Sequence, residues 1–194
     1  IITSFKNPRK LSSNKYKLLL GHESSNQSNF IGSDINIPLN DYQLAIFLNN
    51  RSANDQSSPI GTLKNTALEK NDLTLGLTKF GEKDLITIEL KDFSMDYGIP
   101  GSPEGHINGV DLALKNQAQK LKYHSDINFI SFNILDLEQG YVRYGHKEFV
   151  KGSGYASVDL RQDIIYFNAM LTSKNLKIGA NFQNRDYFTK GFIS

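Results

Sequence analysis

The sequence contains no cysteine and no tryptophan, and only five prolines among its 194 residues. The absence of cysteine excludes disulfides, thiol nucleophiles and cysteine-ligated zinc or iron–sulfur clusters. No window approaches the eighteen or so apolar residues that a membrane-spanning helix needs, so we expect no transmembrane segment. The chain has 22 basic and 20 acidic side chains. This near-balance, with the basic residues scattered rather than striped, does not favour nucleic acid as a partner.

The sequence also lacks the short motifs that mark common catalytic centres. It has no Gly-x-Ser-x-Gly elbow, no phosphate-binding Gly-x-x-x-x-Gly-Lys-[Ser/Thr], no His-Glu-x-x-His and no dinucleotide-binding glycine fingerprint. Its acidic residues stand singly at strand ends and on polar faces. We therefore expect a protein without enzyme activity.

The last third of the chain, residues 140–193, has apolar residues at every second position over several stretches. This alternation predicts antiparallel strands with one apolar face, joined by short polar linkers at residues 161–163 and 172–175. We expect the outward positions to carry Lys, Asp, Asn and Gln, as in a water-soluble barrel with a filled interior. The set expected to be buried together is Val158, Leu160, Ile165, Phe167, Ala169, Leu171, Leu176, Ile178 and Phe182.

Residues 1–137 alternate less regularly and contain long polar loops. Strand patterns occur at residues 42–48, 73–77, 85–90 and 127–134. Residues 110–123 fit either a helical face or a strand, and we favour a strand that passes into a loop or a short helical turn. Residues 92–109 are rich in glycine and proline and are the best candidate for a functional loop. The interpretation is an all-β protein with a small N-terminal ligand-binding domain, residues 1–137, and a C-terminal antiparallel β-barrel of up to eight strands, residues 138–194. The C-terminal block alone supplies too few strands to close that barrel.

Two histidines lie beside apolar segments. His22 follows the apolar run Leu18–Leu20, and His106 lies in the glycine-rich and proline-rich loop. An imidazole in either place can reach a planar apolar ligand such as haem and coordinate its iron, or it can be an ordinary surface residue. Tyr97 and Phe93 precede the loop of His106, where an aromatic ring can stack on a porphyrin, anchor a protein interface or pack in the core.

The glycine-bearing strands of the C-terminal block occur in an order that resembles a known family. The series is Gly140-Tyr-Val-Arg-Tyr-Gly145, Ala156-Ser-Val-Asp-Leu160, Ile164-Ile-Tyr-Phe167, Leu176-Lys-Ile-Gly-Ala-Asn181 and Tyr187-Phe-Thr-Lys-Gly191. It is similar to the barrel of the transferrin-binding protein B family of Gram-negative surface proteins. In size and plan the chain resembles the hemophilin branch of that family.

The resemblance implies a non-enzymatic haem-binding, hemophore-like protein for iron acquisition that holds haem through histidine. The family's ligand residues have no match by position in this sequence; from their own placement, His106 first and His22 second are the candidate iron ligands, and Tyr97 and Phe93 are candidates to stack on the porphyrin. The resemblance also implies a monomer that is secreted or anchored on the outer surface of a Gram-negative outer membrane. Such a protein is exported by a dedicated translocator and hands haem to an outer-membrane receptor. The alternative is a surface lipoprotein that binds a host protein, or mediates host colonisation, without haem. A further alternative is an intracellular β-domain.

Overall fold

Alternating side chains run through most of the chain, and the backbone follows them as antiparallel strands. The computed structural model describes residues 8–103, 106–153 and 156–191. No helix occurs in these residues, which confirms the all-β class. The strands are β1 Lys15–Glu23, β2 Ser28–Leu39, β3 Tyr42–Ala53, β4 Gln56–Ser58, β5 Gly61–Leu63, β6 Leu68–Phe80, β7 Asp84–Ile99, β8 Val110–Phe129, β9 Phe132–Val150, β10 Val158–Thr172 and β11 Lys177–Gly191.

Nine of these strands form one antiparallel sheet in the order β1-β2-β3-β6-β7-β8-β9-β10-β11. The short strands β4 and β5 pair with each other in the connection between β3 and β6. β1 and β11 are the edges, and the sheet is not closed within the described residues. The domain boundary predicted near residue 137 falls inside β9, which pairs with both β8 and β10 on either side of that position.

Three predicted element boundaries are wrong. Residues 161–163 are part of β10 and not a linker, and residues 92–99 belong to β7, which limits the predicted loop to residues 100–109. The strand predicted over residues 127–134 is interrupted by the β8–β9 turn at Ile130. Ile130 has a φ of 57°, a conformation that β-branched residues rarely adopt. An isoleucine at this position therefore does not indicate a turn in the sequence.

The connections differ in length at the two ends of the sheet. At one end, which we call the short-turn end, the connections are residues 40–41, 81–83, 130–131 and 173–176. At the other, the long-loop end, they are residues 24–27, 54–67, 100–109 and 151–157. All of the long connections therefore lie at the same end of the sheet.

The cross-strand register divides the side chains into two faces of different chemistry. The band face carries an apolar band that crosses all nine strands and includes Leu18, Ile35, Ile46, Leu75, Ile88, Leu121, Leu137, Phe167 and Phe182. The polar face carries hydroxyl and charged residues, among them Asp72, Thr78, Thr87, Glu89, Lys120, Lys122 and Asp136, interspersed with apolar and aromatic residues such as Leu85, Phe93 and Leu112. Each strand contributes to both faces because successive side chains point in opposite directions.

The polar face is the more shielded of the two. Leu77 on the band face is 43% exposed, whereas the next residue, Thr78 on the polar face, is 5% exposed. In the neighbouring strand Ile88 is 50% exposed and Thr87 is 8% exposed. This is the reverse of a water-soluble sheet, which shields its apolar face.

The predicted burial of the C-terminal apolar set is therefore wrong. Ile165, Phe167, Ile178 and Phe182 are between 42% and 63% exposed. Since β10 continues through residues 161–163, Val158 and Leu160 lie on the polar face and not beside Ile165. In the described part of the chain, the buried apolar side chains are Ala53, Leu85, Leu112 and Ala118.

A single sheet layer exposes far more surface than a packed domain. The accessible surface is 13420 Å² for a mass of 21.8 kDa, whereas a folded monomer of that mass exposes about 9,300 Å². The described residues thus form no second layer against which the band face could pack.

Two glycines on the polar face each lie beneath an aromatic ring of the adjacent strand. Gly21 is directly opposite Phe30, and Gly140 is directly opposite Tyr166. A Cβ atom built on either glycine would overlap the ring of its partner. An aromatic ring that covers a cross-strand glycine shields the bare backbone and helps to fix the register.

We predict that Gly140→Ala destabilises the protein by about 1–3 kcal/mol, because the new methyl group displaces the Tyr166 ring. Gly145→Ala, on the same strand, is the matched control, since its methyl group meets nothing within 4 Å. Denaturant unfolding of both variants measures the difference. Equal stability of the two variants would contradict the ring-over-glycine packing.

Candidate functional site

A network of hydrogen bonds centred on Asn65 ties together the connections of the long-loop end. The Asn65 side-chain amide donates to the carbonyl of Ile99 at 2.7 Å and to the carbonyl of Val110 at 3.1 Å. Its side-chain oxygen accepts a bond from Lys151 Nζ at 2.8 Å, and Lys151 also lies 3.2 Å from Asp111 Oδ1. One side chain therefore holds the end of β7, the start of β8 and the β9–β10 connection.

Asn65 itself has a φ of 62°, a left-handed conformation that asparagine tolerates better than most residues. Its partners are 34 to 86 residues away along the chain. No local sequence pattern indicates such a role, so the role of Asn65 is not predictable from the sequence alone.

A recess of about 1200 Å³ lies beneath the 54–67 connection at the long-loop end. Carboxylates from Asp55, Glu69, Asp96 and Asp111 border it, together with the ammonium groups of Lys64 and Lys151 and the rings of Tyr97 and Phe149. Acidic groups outnumber basic ones. The recess therefore favours a polar or cationic ligand over an anionic one.

The edge of the recess is ordered by the carboxylate of Asp55. Asp55 Oδ1 accepts the backbone amide of Thr66 at 2.7 Å and that of Ala67 at 3.0 Å. The Thr66 amide above all, with those of Asn65 and Ala67, lowers the pKa of the Asp55 carboxyl below its ordinary value. Asp55 is therefore ionised at neutral pH and fixes the return of the chain into β6.

The polar face, on the opposite side of the sheet from the Glu69, Asp96 and Asp111 side chains, carries paired charges and hydroxyls. Glu89 lies 3.0 Å from Lys120 and 3.7 Å from Lys122, and the hydroxyls of Thr78 and Thr87 are 2.9 Å apart. Other pairs follow the same face: Asp72 with Lys91, and His124 with Asp136. These partners satisfy shielded polar groups, whereas Asp72 Oδ1 and Asn116 Oδ1 on the same face are buried without a hydrogen bond.

The two histidines predicted to bind haem lie in different settings. His106 is exposed in the 100–109 loop, at the long-loop end. His22 lies on the band face of β1, where its Nδ1 is 2.9 Å from Asn29 Oδ1, beside a shallow groove of about 500 Å³ that Leu20 and Ile31 also line. Among the described residues no group of three His, Cys, Asp or Glu side chains could hold a metal ion.

The two predicted aromatic residues lie on the polar face of β7. Tyr97 borders the recess, and Phe93 lies four residues nearer the short-turn end of the same strand, with Lys70 Nζ and Lys91 Nζ each 5.7 Å from its ring centroid. His22 and these rings are on opposite faces of the sheet. The structure therefore brings Tyr97 and His106 to the same end but does not join all four residues in one haem pocket.

No protein-family model matches the chain, and no curated protein matches it. The resemblance to transferrin-binding protein B, and haem coordination with it, stay predictions. The described residues contain no helix long and apolar enough to cross a membrane.

We predict that Asn65→Ala loosens the long-loop end without unfolding the sheet, because it removes three hydrogen bonds worth about 1 kcal/mol each. Hydrogen exchange at the Gly98 amide, which donates to the Ala67 carbonyl at 3.1 Å, should accelerate roughly tenfold or more. Asn65→Gly is the control for backbone strain, since glycine keeps the positive φ and loses the same bonds. Wild-type protection in Asn65→Gly would show that the side chain does not hold the loops.

Proposed function

We propose that this chain forms part of the wall of a transmembrane antiparallel β-barrel in a bacterial outer membrane. The band face contacts lipid, the polar face lines the lumen, and the long-loop end with its recess faces the exterior. The protein acts without enzyme chemistry, as a conduit or receptor that first meets its solute at the long-loop end.

The observation that carries the proposal is the reversed burial of the two faces. The apolar side chains of the cross-strand pair Leu77 and Ile88 are exposed. The neighbouring pair, Thr78 and Thr87, points to the other face and is shielded. In water such a sheet leaves its largest apolar surface unburied, at a cost of about 25 cal/mol for each Å². Hydrocarbon removes that cost, and such barrels present polar side chains to their lumen.

The slope of the apolar band supports the same assignment. The hydrogen-bonded row that starts at Leu18 in β1 ends at Asp186 in β11. The apolar residues of β11 centre instead on Ala180, six residues from Asp186. At about 3.3 Å per residue and 4.8 Å per strand, this shift over eight strand steps corresponds to a strand tilt of about 27°. A level band therefore requires tilted strands, although by a smaller angle than the roughly 35–45° of outer-membrane barrels.

The unequal lengths of the connections at the two ends support a particular orientation of the sheet in the membrane. Outer-membrane barrels have short turns on the periplasmic side and longer loops on the outside. The connections at residues 54–67 and 100–109 then lie outside the cell, and those at residues 40–41 and 130–131 lie in the periplasm. Closing the wall requires pairing partners for the free edges of β1 and β11.

The haem-carrier and host-protein hypotheses place the protein outside the membrane, with an apolar barrel interior or an apolar loop patch. Neither accounts for an apolar band that crosses nine strands on the exposed face. The recess and the exposed His106 remain compatible with recognition of a ligand at the outer rim.

A pair of substitutions tests the lipid contact. Leu75 on the band face is 36% exposed and Phe47 on the polar face is 39% exposed, so the two differ mainly in the face they occupy. In phosphatidylcholine vesicles we expect Leu75→Lys to lower the free energy of unfolding by about 2–4 kcal/mol, because it places a charge in hydrocarbon. Phe47→Lys faces a hydrated lumen and should cost much less.

Denaturant unfolding of the folded, vesicle-bound protein measures both variants. Equal losses for Leu75→Lys and Phe47→Lys, or a protein that stays in the aqueous phase when vesicles are floated, would contradict the membrane assignment.

A further inference from the structure

A cationic notch lies on the band face, just beyond the apolar band on the side of the long-loop end. One hydrogen-bonded row places Lys115, Gly145 and Arg161 side by side, with the glycine in the middle. A side chain at Gly145 would meet nothing within 4 Å, so the space between the two cations is open. The depression at this point has a volume of about 490 Å³.

The other charges around the notch are largely paired with one another. Arg143 Nε is 2.9 Å from Asp163 Oδ1, and Lys147 Nζ is 3.7 Å from Asp159 Oδ2. Asp96 also lines the depression, and Ser94 lies opposite Lys115 in the same row. Within the described residues, Lys115 and Arg161 form no salt bridge, although the Arg161 guanidinium lies 6.0 Å from the Phe188 ring centroid.

The notch has a defined depth relative to the band. On β9 the band ends at Tyr141, whose hydroxyl donates to Asp163 at 2.9 Å, and Gly145 lies four residues farther along the strand. That separation is roughly 13 Å along a tilted strand. An aromatic residue at the edge of the band is typical of the membrane interface, and lipid headgroups lie immediately beyond it.

We propose that Lys115 and Arg161 bind the phosphate of an anionic lipid headgroup in the outer leaflet, with Gly145 leaving room for the phosphate between them. This inference rests on the proposed function, since it requires the band face to contact lipid. Arginine presents a planar fork that suits phosphate oxygens, and lysine adds a point charge from the opposite side. Basic clusters at this depth are the usual protein contribution to recognition of acidic lipids.

The test uses the full-length protein in neutral detergent, titrated with dimyristoyl phosphatidic acid and followed by native mass spectrometry. We expect one saturable lipid with at least tenfold preference over dimyristoyl phosphatidylcholine. The double variant Lys115→Gln/Arg161→Gln should weaken binding about 30-fold, as expected for the loss of two cations near the membrane surface. The control Lys17→Gln/Lys79→Gln removes the same charge elsewhere and should change binding less than twofold.

A second variant keeps all charges and fills the space. Gly145→Leu should weaken phosphatidic acid at least tenfold by occupying the notch. Unchanged binding in both Gly145→Leu and Lys115→Gln/Arg161→Gln would overturn the proposal, as would equal affinity for phosphatidylcholine. Inorganic phosphate that binds as tightly as phosphatidic acid would also overturn it, because the site would then take a free anion.

Flotation with pure phosphatidylcholine vesicles separates this inference from the proposed function. A protein that inserts into neutral vesicles but shows no preference for phosphatidic acid contradicts the headgroup site alone. A protein that does not insert contradicts the membrane wall.

Discussion

One face of the sheet shields polar side chains and the other leaves apolar side chains exposed, and the other features of this structure depend on that difference. Thr78 and Thr87 are nearly inaccessible, and their hydroxyls bond to each other at 2.9 Å. Charged groups on the same face are paired, as with Glu89 and Lys120. A polar group that is shielded needs such a partner, and an apolar group that is exposed needs a medium other than water. The two needs together are the basis for proposing hydrocarbon on one side of the sheet and a hydrated lumen on the other.

The sequence predicts the strand content well and the assignment of faces poorly. Alternation identified β strands in both halves of the chain, and the all-β class is confirmed. Periodicity alone does not say whether an apolar face points into a core or outward into lipid, because the pattern along one strand is the same in both cases. The exposure of Ile165 and Phe167 depends on the arrangement of all nine strands of the sheet, which a local sequence pattern does not indicate.

The errors at element boundaries have local physical causes. Arg161, Gln162 and Asp163 resemble a polar linker, yet they continue β10 where it leaves the apolar band. Ile130 occupies a positive-φ turn position that its side chain disfavours. The sequence pattern therefore predicts one strand over residues 127–134, where the chain forms the β8–β9 hairpin. The role of Asn65 depends on partners brought together only by the folded sheet. Functional contacts at the long-loop end are therefore less predictable than the strands that support them.

The face assignment also organises the functional surfaces. The recess beneath residues 54–67, the exposed His106 and the notch at Gly145 all lie toward the long-loop end. The short-turn end has only tight connections. In the proposed orientation this end of the sheet faces outside the cell, and the bonds of Asn65 hold its connections in place.

Site-directed spin labelling along β6 tests the central claim most directly, and the absence of native cysteine makes each introduced cysteine unique. Labels at residues 72–77 of the vesicle-bound protein are compared for collisions with oxygen, which concentrates in hydrocarbon, and with a water-soluble nickel complex. We predict high oxygen accessibility at 73, 75 and 77 and higher nickel accessibility at 72, 74 and 76. Nickel accessibility at 73, 75 and 77, or no alternation along the strand, would contradict a lipid-facing band.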